Sequence, residues 1–396
     1  TRIKFETDGI ILRQYVSDHT LASVDTLLFD EFHERHLFGD LMLALALDLQ
    51  ETTRPDLKIV VMSATLHSEA LEAYLGACSV LRSEGRMHPV RVDYLPRAVD
   101  PRKTAVWDLA AREFDARVAG IPEGNVLIFM PGAYEIRRTL EALRRLPGSK
   151  GFRLCPLYGD LRPEEQDAAV EPSPERKVIV STNVAETSLT IEGVRLVIDS
   201  GLARKARFDP HRGIDTLLIE KISKASADQR TGRAGRTAAG RCLRLWTEAE
   251  HARREAHELP EIRRVDLSET LLLLKESGIG DPRAFRWLDA PGEETLARSL
   301  QLLVDLGALD ASTRQITPIG SRLLAFPVHP RYARMLVAAE FYGCVPSVAL
   351  MAALTQDRSI LLPRQNRAVR EARLDLVDGE PRSDLLLQMK AWTYAR

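Results

Sequence analysis

Residues 24–33 read Val24-Asp25-Thr26-Leu27-Leu28-Phe29-Asp30-Glu31-Phe32-His33, an apolar run that closes on two adjacent carboxylates. Continuous runs of this kind suit strands buried on both faces of a parallel sheet, and the acidic pair then lies at the carboxyl end of its strand. Residues 57–62, 125–129, 177–180 and 195–198 repeat the apolar run, whereas 37–50, 133–145 and 163–170 carry helical periodicity. Strand and helix alternate, so the expected class is α/β with parallel sheets, whose ligands sit beyond the carboxyl ends of the strands. Pro96 and Pro101 bracket a polar connector at 95–103, after which the alternation restarts, so two similar α/β units are expected in tandem. Past Trp246 the strands fade and helical patterns take over at 266–277, 293–306 and 330–355. A short extended piece at 314–317 follows a turn at 310–313, which is compatible with a winged-helix module. The expected domains are 1–95, 96–248, 249–325 and 326–396.

A chain of 396 residues holds about two to four domains of ordinary size. Its 45% hydrophobic and 28% charged residues are usual for a soluble globular protein. No apolar run reaches the ~18–20 residues of a membrane helix. Thr1-Arg2-Ile3-Lys4-Phe5 has neither an initiator Met nor a signal-peptide apolar region, and Trp392-Thr393-Tyr394-Ala395-Arg396 ends inside a helical pattern. Both ends read as cuts in a longer chain. Cys78, Cys155, Cys242 and Cys344 are far apart with no CxxC pair, which argues against zinc or a disulfide framework and for a reduced, cytoplasmic compartment. Net charge is −1, so no global basic surface advertises nucleic acid. Between residues 201 and 246, however, eleven Lys and Arg face four Asp and Glu, a local excess of +7. That stripe fits a groove tracking a phosphate backbone, or else an ordinary solvated face.

The motifs carry chemistry through their place on this frame. Asp30 can hold Mg²⁺ through water, and Glu31 can orient or deprotonate an attacking water. Ser63-Ala64-Thr65 follows the run at 57–62 in the same way. Its hydroxyls can bond the acidic pair and relay nucleotide state, although alone they would read as helix caps. Ser181-Thr182-Asn183-Val184-Ala185-Glu186-Thr187-Ser188-Leu189-Thr190 follows the run at 177–180, where hydroxyl and amide groups can bond a nucleic-acid backbone without reading its sequence.

The most specific stretch is Gln229-Arg230-Thr231-Gly232-Arg233-Ala234-Gly235-Arg236. Arg233 and Arg236 are three apart and share a face of a helix. Gly232 and Gly235 remove side chains that would keep phosphates away. An arginine supplied across a cleft stabilises charge on a transferred phosphoryl group, an effect of about 10³–10⁵ in rate. Asp30-Glu31 and Arg233/Arg236 are therefore expected as two walls of one NTP cleft. Nowhere in the sequence is there a Gly-rich loop ending in Gly-Lys-Ser/Thr.

With these motifs in this order, the chain resembles the DEAH/RHA-type superfamily 2 RNA helicases over essentially its whole length, and within them the bacterial HrpB-like ATP-dependent branch. Thr7-Asp8-Gly9 matches motif Ib, which contacts the RNA backbone. Asp30-Glu31-Phe32-His33 matches motif II with Phe where the family name has Ala, and Phe32 with Glu34-Arg35 favours the HrpB-like branch. Ser63-Ala64-Thr65 matches motif III, and residues 127–132 lie where motif IV is expected. Thr182 and Asn183 match motif V residues that touch RNA, while Ser188 and Thr190 match its nucleotide-sensing part. Gln229, Arg233 and Arg236 match the phosphate-contacting residues of motif VI.

The resemblance implies two tandem RecA-like domains, the first incomplete at its start, then a winged helix and a partial helical ratchet. It also implies a strand-separating β-hairpin at 203–219, turned by Asp209-Pro210-His211-Arg212-Gly213. Asp30, Glu31, His33, Gln229, Arg233 and Arg236 would form the catalytic set. Ser188, Thr190, Gln229, Arg233 and Arg236 would hold the nucleotide, Asp30 and Glu31 the metal side, and Ser63 and Thr65 the coupling. The implied cofactors are ATP, with other NTPs tolerated, and Mg²⁺. The implied partner is single-stranded RNA, or a duplex with a single-stranded tail, engaged by a monomer. Motif I would lie before Thr1, so the segment alone is expected to be inactive. Two alternatives stay open. One is an ATPase-dead nucleic-acid clamp, which has no need of intact Asp30, Glu31, Arg233 and Arg236. The other is a DNA motor, since only the 2′-OH separates RNA from DNA at backbone contacts.

Overall fold

The computed structural model describes residues 2–64, 68–83, 88–121, 123–187, 189–211, 213–356, 360–361, 369, 371 and 383–395. Thr1–Ser23, which carries α1 (Asp8–Ser17), clusters with Asp266–Arg396 in one compact unit, and Val24–Val265 forms another.

Within residues 24–265, β1 (Thr26–Phe29) leads through α2 (Leu37–Thr52) to β2 (Lys58–Val61), which pairs with it in parallel from Thr26↔Lys58 to Phe29↔Val61. After α3 (Ser68–Leu75) come β3 (Val90–Tyr94), α4 (Val106–Val118), β4 (Asn125–Phe129), α5 (Ala133–Leu143), β5 (Phe152–Leu157), α6 (Pro163–Val170), β6 (Arg176–Ser181) and β7 (Val194–Asp199). An antiparallel hairpin follows, β8 (Leu202–Asp209) with β9 (Ile214–Lys221), then α7 (Lys224–Gly232), β10 (Gly240–Arg244) and α8 (Glu248–Ala252). The second sheet is parallel throughout, in the order β3-β10-β7-β4-β6-β5. Although β3 precedes the proline connector, its whole length pairs with β10 in this second sheet.

Alternation along each strand builds the core. Val126, Ile128, Val178, Val180 and Ile198 pack with Leu109, Phe114 and Ile136 from α4 and α5 on one face. Leu127, Phe129, Ile179 and Val197 pack with Ala169 and Ala234 on the other. All nine strand residues are fully buried, each contributing roughly 1.5–3 kcal/mol of transfer free energy. The expectation of strands buried on both faces holds for this sheet and fails for the first. In β1, Leu27 and Phe29 are buried, but Leu28 is 60% exposed. The apolar run there covers one face only among the described residues.

The other unit is helical, with α9 (Ser268–Glu276), α10 (Glu293–Asp305), α11 (Pro318–Leu323), α12 (Pro330–Phe341), α13 (Val345–Gln356) and a further helix at Asp384–Ala395. The pattern at 330–355 is two helices, broken where Gly343 takes φ +65°. The extended piece at 314–317 is reduced to one antiparallel bridge, Leu309↔Ile316, closed over Asp310, whose Oδ1 accepts the N–H groups of Ser312 and Thr313. No helix among the described residues is long and apolar enough to cross a membrane.

Candidate functional site

β1 ends at Phe29 and the chain turns at once. Glu31 (φ 49°) and Arg35 (φ 52°) both take left-handed angles around a 3-10 turn at Phe32–Glu34. Such angles persist where surrounding contacts over-determine them. Asp30 Oδ1 accepts the Glu31 N–H at 2.8 Å. Phe32 is buried edge-on against Phe29, its N–H donates to Met62 O at 3.0 Å, and the Arg35 guanidinium grips buried Asp40 at 2.9 and 2.8 Å. This scaffold leaves Asp30 exposed and Glu31 half-buried at the carboxyl end of β1. His33 Nδ1 accepts the Ala64 N–H at 3.3 Å and so ties the acidic loop to the end of β2. The same Nδ1 lies 3.5 Å from Glu31 Oε2.

The opposing wall comes from α7, capped by Ser223 Oγ accepting the Ser226 N–H at 3.1 Å. Arg230 is buried; its Nε donates to Glu186 Oε2 at 2.8 Å and its Nη1 to Asp199 Oδ1 at 2.9 Å, with the guanidinium 4.7 Å over the Phe129 ring. Burial alone would pull its pKa down, but Asp199 and Glu186 outweigh it and hold the pKa above its ordinary value. Arg233 is 4% exposed and donates to Glu186 O (2.7 Å) and Leu189 O (2.6 Å). Here it lies along the carbonyls of Glu186 and Leu189, not aimed outward. Burial lowers its pKa to about 10, aided by the like charge of Arg236 and opposed by Glu31 and Glu186. Arg236 is exposed and donates to Thr190 Oγ1 at 3.0 Å; burial lowers its pKa too, again opposed by Glu31. Both guanidinium groups therefore feel the charge of Glu31.

A chain of polar contacts joins the two walls. Thr187 Oγ1 donates to Glu34 Oε1 at 2.5 Å, Glu34 Oε2 lies 2.8 Å from His36 Nε2, and His36 Nδ1 lies 3.3 Å from Glu261 Oε1. Glu261 Oε2 accepts the Leu37 N–H at 2.9 Å. Bonds to Glu261 and then Glu34 raise the His36 pKa to about 10 against the effect of burial. The His36 bond holds Glu34 below the ordinary carboxylate range. Glu261 is also lowered, since His36 and the Leu37 N–H outweigh its burial.

The structure thus gathers Asp30, Glu31, His33 and Ser63 at the ends of β1 and β2, and Thr182 and Asn183 at the end of β6, with Thr190 and Arg236 bonded to each other. Gln229 is half-buried on α7. Thr65 and Ser188 lie outside the described residues. Thr7, Asp8 and Gly9 open α1 in the other compact unit.

Two readings need correction. Gly235 serves internal packing, because a Cβ there would lie 2.6 Å from His88 O. The basic stripe is divided: Arg230, Arg233 and Arg244 are buried and Arg207 and Lys205 pair with Glu220 and Glu258, whereas Arg204, Lys221, Arg236 and Arg241 are exposed. Arg230, Glu186, Asp199, Thr187, Glu34 and Glu261 carried no site role on sequence grounds. Asp199 had a usable signal, since it closes the run at 195–198 as Asp30 closes its own.

Residues 114–238 match the family "Helicase conserved C-terminal domain". Residues 299–328 match the winged-helix part of the helicase associated domain (HA2), and residues 329–390 its ratchet-like part. Over 411 aligned positions the chain is 38% identical to ATP-dependent RNA helicase HrpB of Escherichia coli (strain K12), covering 100% of this chain and 50% of that protein. ATP-dependent RNA helicase HrpA of the same organism is 37% identical over 100% of this chain and 30% of its own length. Human probable ATP-dependent RNA helicase DHX34 is 37% identical over 89% and 32%. The crystal structure of the Escherichia coli DEAH/RHA helicase HrpB superposes with a TM-score of 0.83 at 37% identity, over 97% of this chain and 51% of that one. The chain belongs to the DEAH/RHA helicases. It spans half or less of the length of these relatives. In this DEAH/RHA chain, Phe32 stands where the family name has Ala, and its ring fills the space between Phe29 and the Arg35 guanidinium, 5.9 Å away.

Proposed function

We propose that the complete protein is an ATP-dependent RNA helicase, a cytoplasmic monomer that couples NTP hydrolysis to stepping along single-stranded RNA and opening tailed duplexes. The observation that carries this reading is the Glu34–Thr187 bond, which ties the turn bearing Asp30 and Glu31 to the residues whose oxygens hold Arg233 and Arg236. A carboxylate on one wall and two guanidiniums on the other suit in-line attack of water on a phosphoryl group. Glu31 orients and deprotonates the water, while Arg233 and Arg236 stabilise charge on the phosphoryl oxygens. Arg233 must first exchange its main-chain acceptors for phosphate, which makes its engagement depend on how Glu186 and Leu189 sit.

Asp30 and Glu31 offer hard oxygen ligands, which suit Mg²⁺, an ion that takes one or two carboxylates and completes its shell with phosphates and water. When bound, the ion neutralises phosphate charge. Thr182 and Asn183, at the end of β6, would contact the RNA backbone, and Ser63 would couple the acidic loop to that movement. The 396 residues include no Gly-rich loop ending in Gly-Lys-Ser/Thr, so the segment alone is expected to leave ATP intact.

In the complete protein, Glu31→Gln should lower RNA-stimulated ATP hydrolysis by about 10²–10⁴-fold while RNA binding persists. Turnover near the wild-type rate would remove Glu31 from its role. Equal stimulation by DNA would turn the reading toward a motor indifferent to the 2′-OH.

A further inference from the structure

We propose that Glu34 and Thr187 form a latch that sets the acidic loop against the loop holding Arg233 and Arg236, making both of them positioning residues for hydrolysis. The proposal rests on the helicase reading above and adds two residues to it. The Glu34 N–H donates to Glu31 O at 2.9 Å, so Glu34 stands one tight turn from the acidic pair. Its Oε1 accepts the Thr187 hydroxyl proton at 2.5 Å.

On the other side, Thr187 follows Glu186, whose carboxylate is fixed by buried Arg230 and whose carbonyl receives Arg233 Nε. Two residues further, Leu189 O receives Arg233 Nη1, and Thr190 Oγ1 receives Arg236 Nη1. A shift of Thr187 relative to Glu34 is therefore a shift of the acceptors of both arginines relative to Glu31. One short side chain and one carboxylate transmit it.

Glu34 is held for this task at both oxygens. Oε2 bonds His36, whose other ring nitrogen faces Glu261, and Glu261 is itself pinned by the Leu37 N–H and by its own N–H donating to Arg35 O at 3.1 Å. A neutral imidazole has a single N–H, so a ring facing a carboxylate on each side is satisfied only as the cation. The resulting Glu34–His36–Glu261 row presents Oε1 to Thr187 in one orientation. A surface carboxylate meeting a threonine by chance would lack that support.

The complete protein is the material for the test. Thr187→Val keeps the side-chain shape without the hydroxyl, and Glu34→Ala removes the acceptor. Each should lower the RNA-stimulated kcat for ATP about tenfold, the size expected for a bond to a charged acceptor. The KM for ATP should change by less than about threefold, and Thr187→Ser should restore most of the rate. The double variant should lose little more than the worse single variant, and urea unfolding of the same four proteins should be non-additive in the same sense. Wild-type kcat in both single variants, or additive losses in which kcat and KM move together, would overturn the latch. If the unmodified protein shows no RNA-stimulated ATPase, the helicase reading falls, and the urea cycle then decides the contact. Additivity there refutes the contact as well, and coupling upholds the contact alone, without a role in hydrolysis.

Discussion

The two parallel sheets of residues 24–265 grow from apolar runs of the same kind, yet they meet solvent differently. Ile128, Val180 and Ile198 in the second sheet are wholly buried, whereas Leu28, Val60 and Met62 in or just after the strands of the first are 60%, 41% and 38% exposed. An apolar run states what a strand is able to bury, and only its neighbours decide whether one face or both are covered. The chemistry sits at both sheets because it depends on where strands end. Asp30-Glu31 leaves β1 and the 182–190 loop leaves β6, each at a carboxyl end.

The contrast can be broken most sharply at the arginines. Arg230→Ala would leave buried Asp199 and half-buried Glu186 without their counter-charge and should cost about 3–5 kcal/mol in urea unfolding. Arg236→Ala, at the exposed rim, should change stability by less than about 0.5 kcal/mol. Comparable losses at both positions would mean that the Arg230 pair is not the internal brace described here. At the sheets themselves, Ile128→Ala should cost about 2–5 kcal/mol and Leu28→Ala less than about 0.5. A large loss at Leu28 would show that the outer face of β1 is covered in solution. Smaller again is Gly235→Ala, expected to cost about 1–3 kcal/mol because its Cβ would press on the His88 carbonyl. Gly159→Ala, with open space around it, should be close to neutral in the same urea unfolding.

These positions also mark what local pattern reveals. β4, β6 and β7 are legible because every residue of their cores is apolar. β5 hides behind Arg153 and Pro156, tolerable on an edge strand, and β10 behind Gly240, Arg241 and Arg244. Arg244 is buried with Asp228 and Tyr94 at 2.6 and 2.8 Å and Thr231 at 3.1 Å, partners that no local window contains.

At the site, the residue types of Asp30, Glu31, Arg233 and Arg236 announce phosphoryl chemistry, but their directions are not written in the spacing. Arg230, Arg233 and Arg236 are each three apart and would share one face of a continuous helix. α7 ends at Gly232 and a 3-10 turn follows at Arg233–Gly235; Arg230 and Arg233 both turn inward onto Glu186, while Arg236 reaches the rim. The Glu34–Thr187 contact spans 153 positions and leaves no local trace.

The smallest expected effect separates the two regions by pH. In the acidic loop of the first sheet, His36 has its pKa raised from 6.5 to about 10. A raised folded-state pKa gives stability that is fully present below about 6.5 and lost as pH rises through about 10. Glu34 and Glu261 are shifted downward, so their contribution fades only under acid, and working above pH 6 isolates the histidine. His36 is 51% exposed, so screening keeps the effect near or below about 1 kcal/mol. The stability difference between the wild type and His36→Gln should therefore be largest near pH 6 and vanish toward pH ~10. The difference for Arg230→Ala should stay flat over the same range, because that guanidinium is held above its already high ordinary pKa. A His36 difference that grew with pH would mean the ring is neutral and bonded to one carboxylate only. An Arg230 difference that faded in parallel would mean that the second sheet, too, depends on a titrating contact.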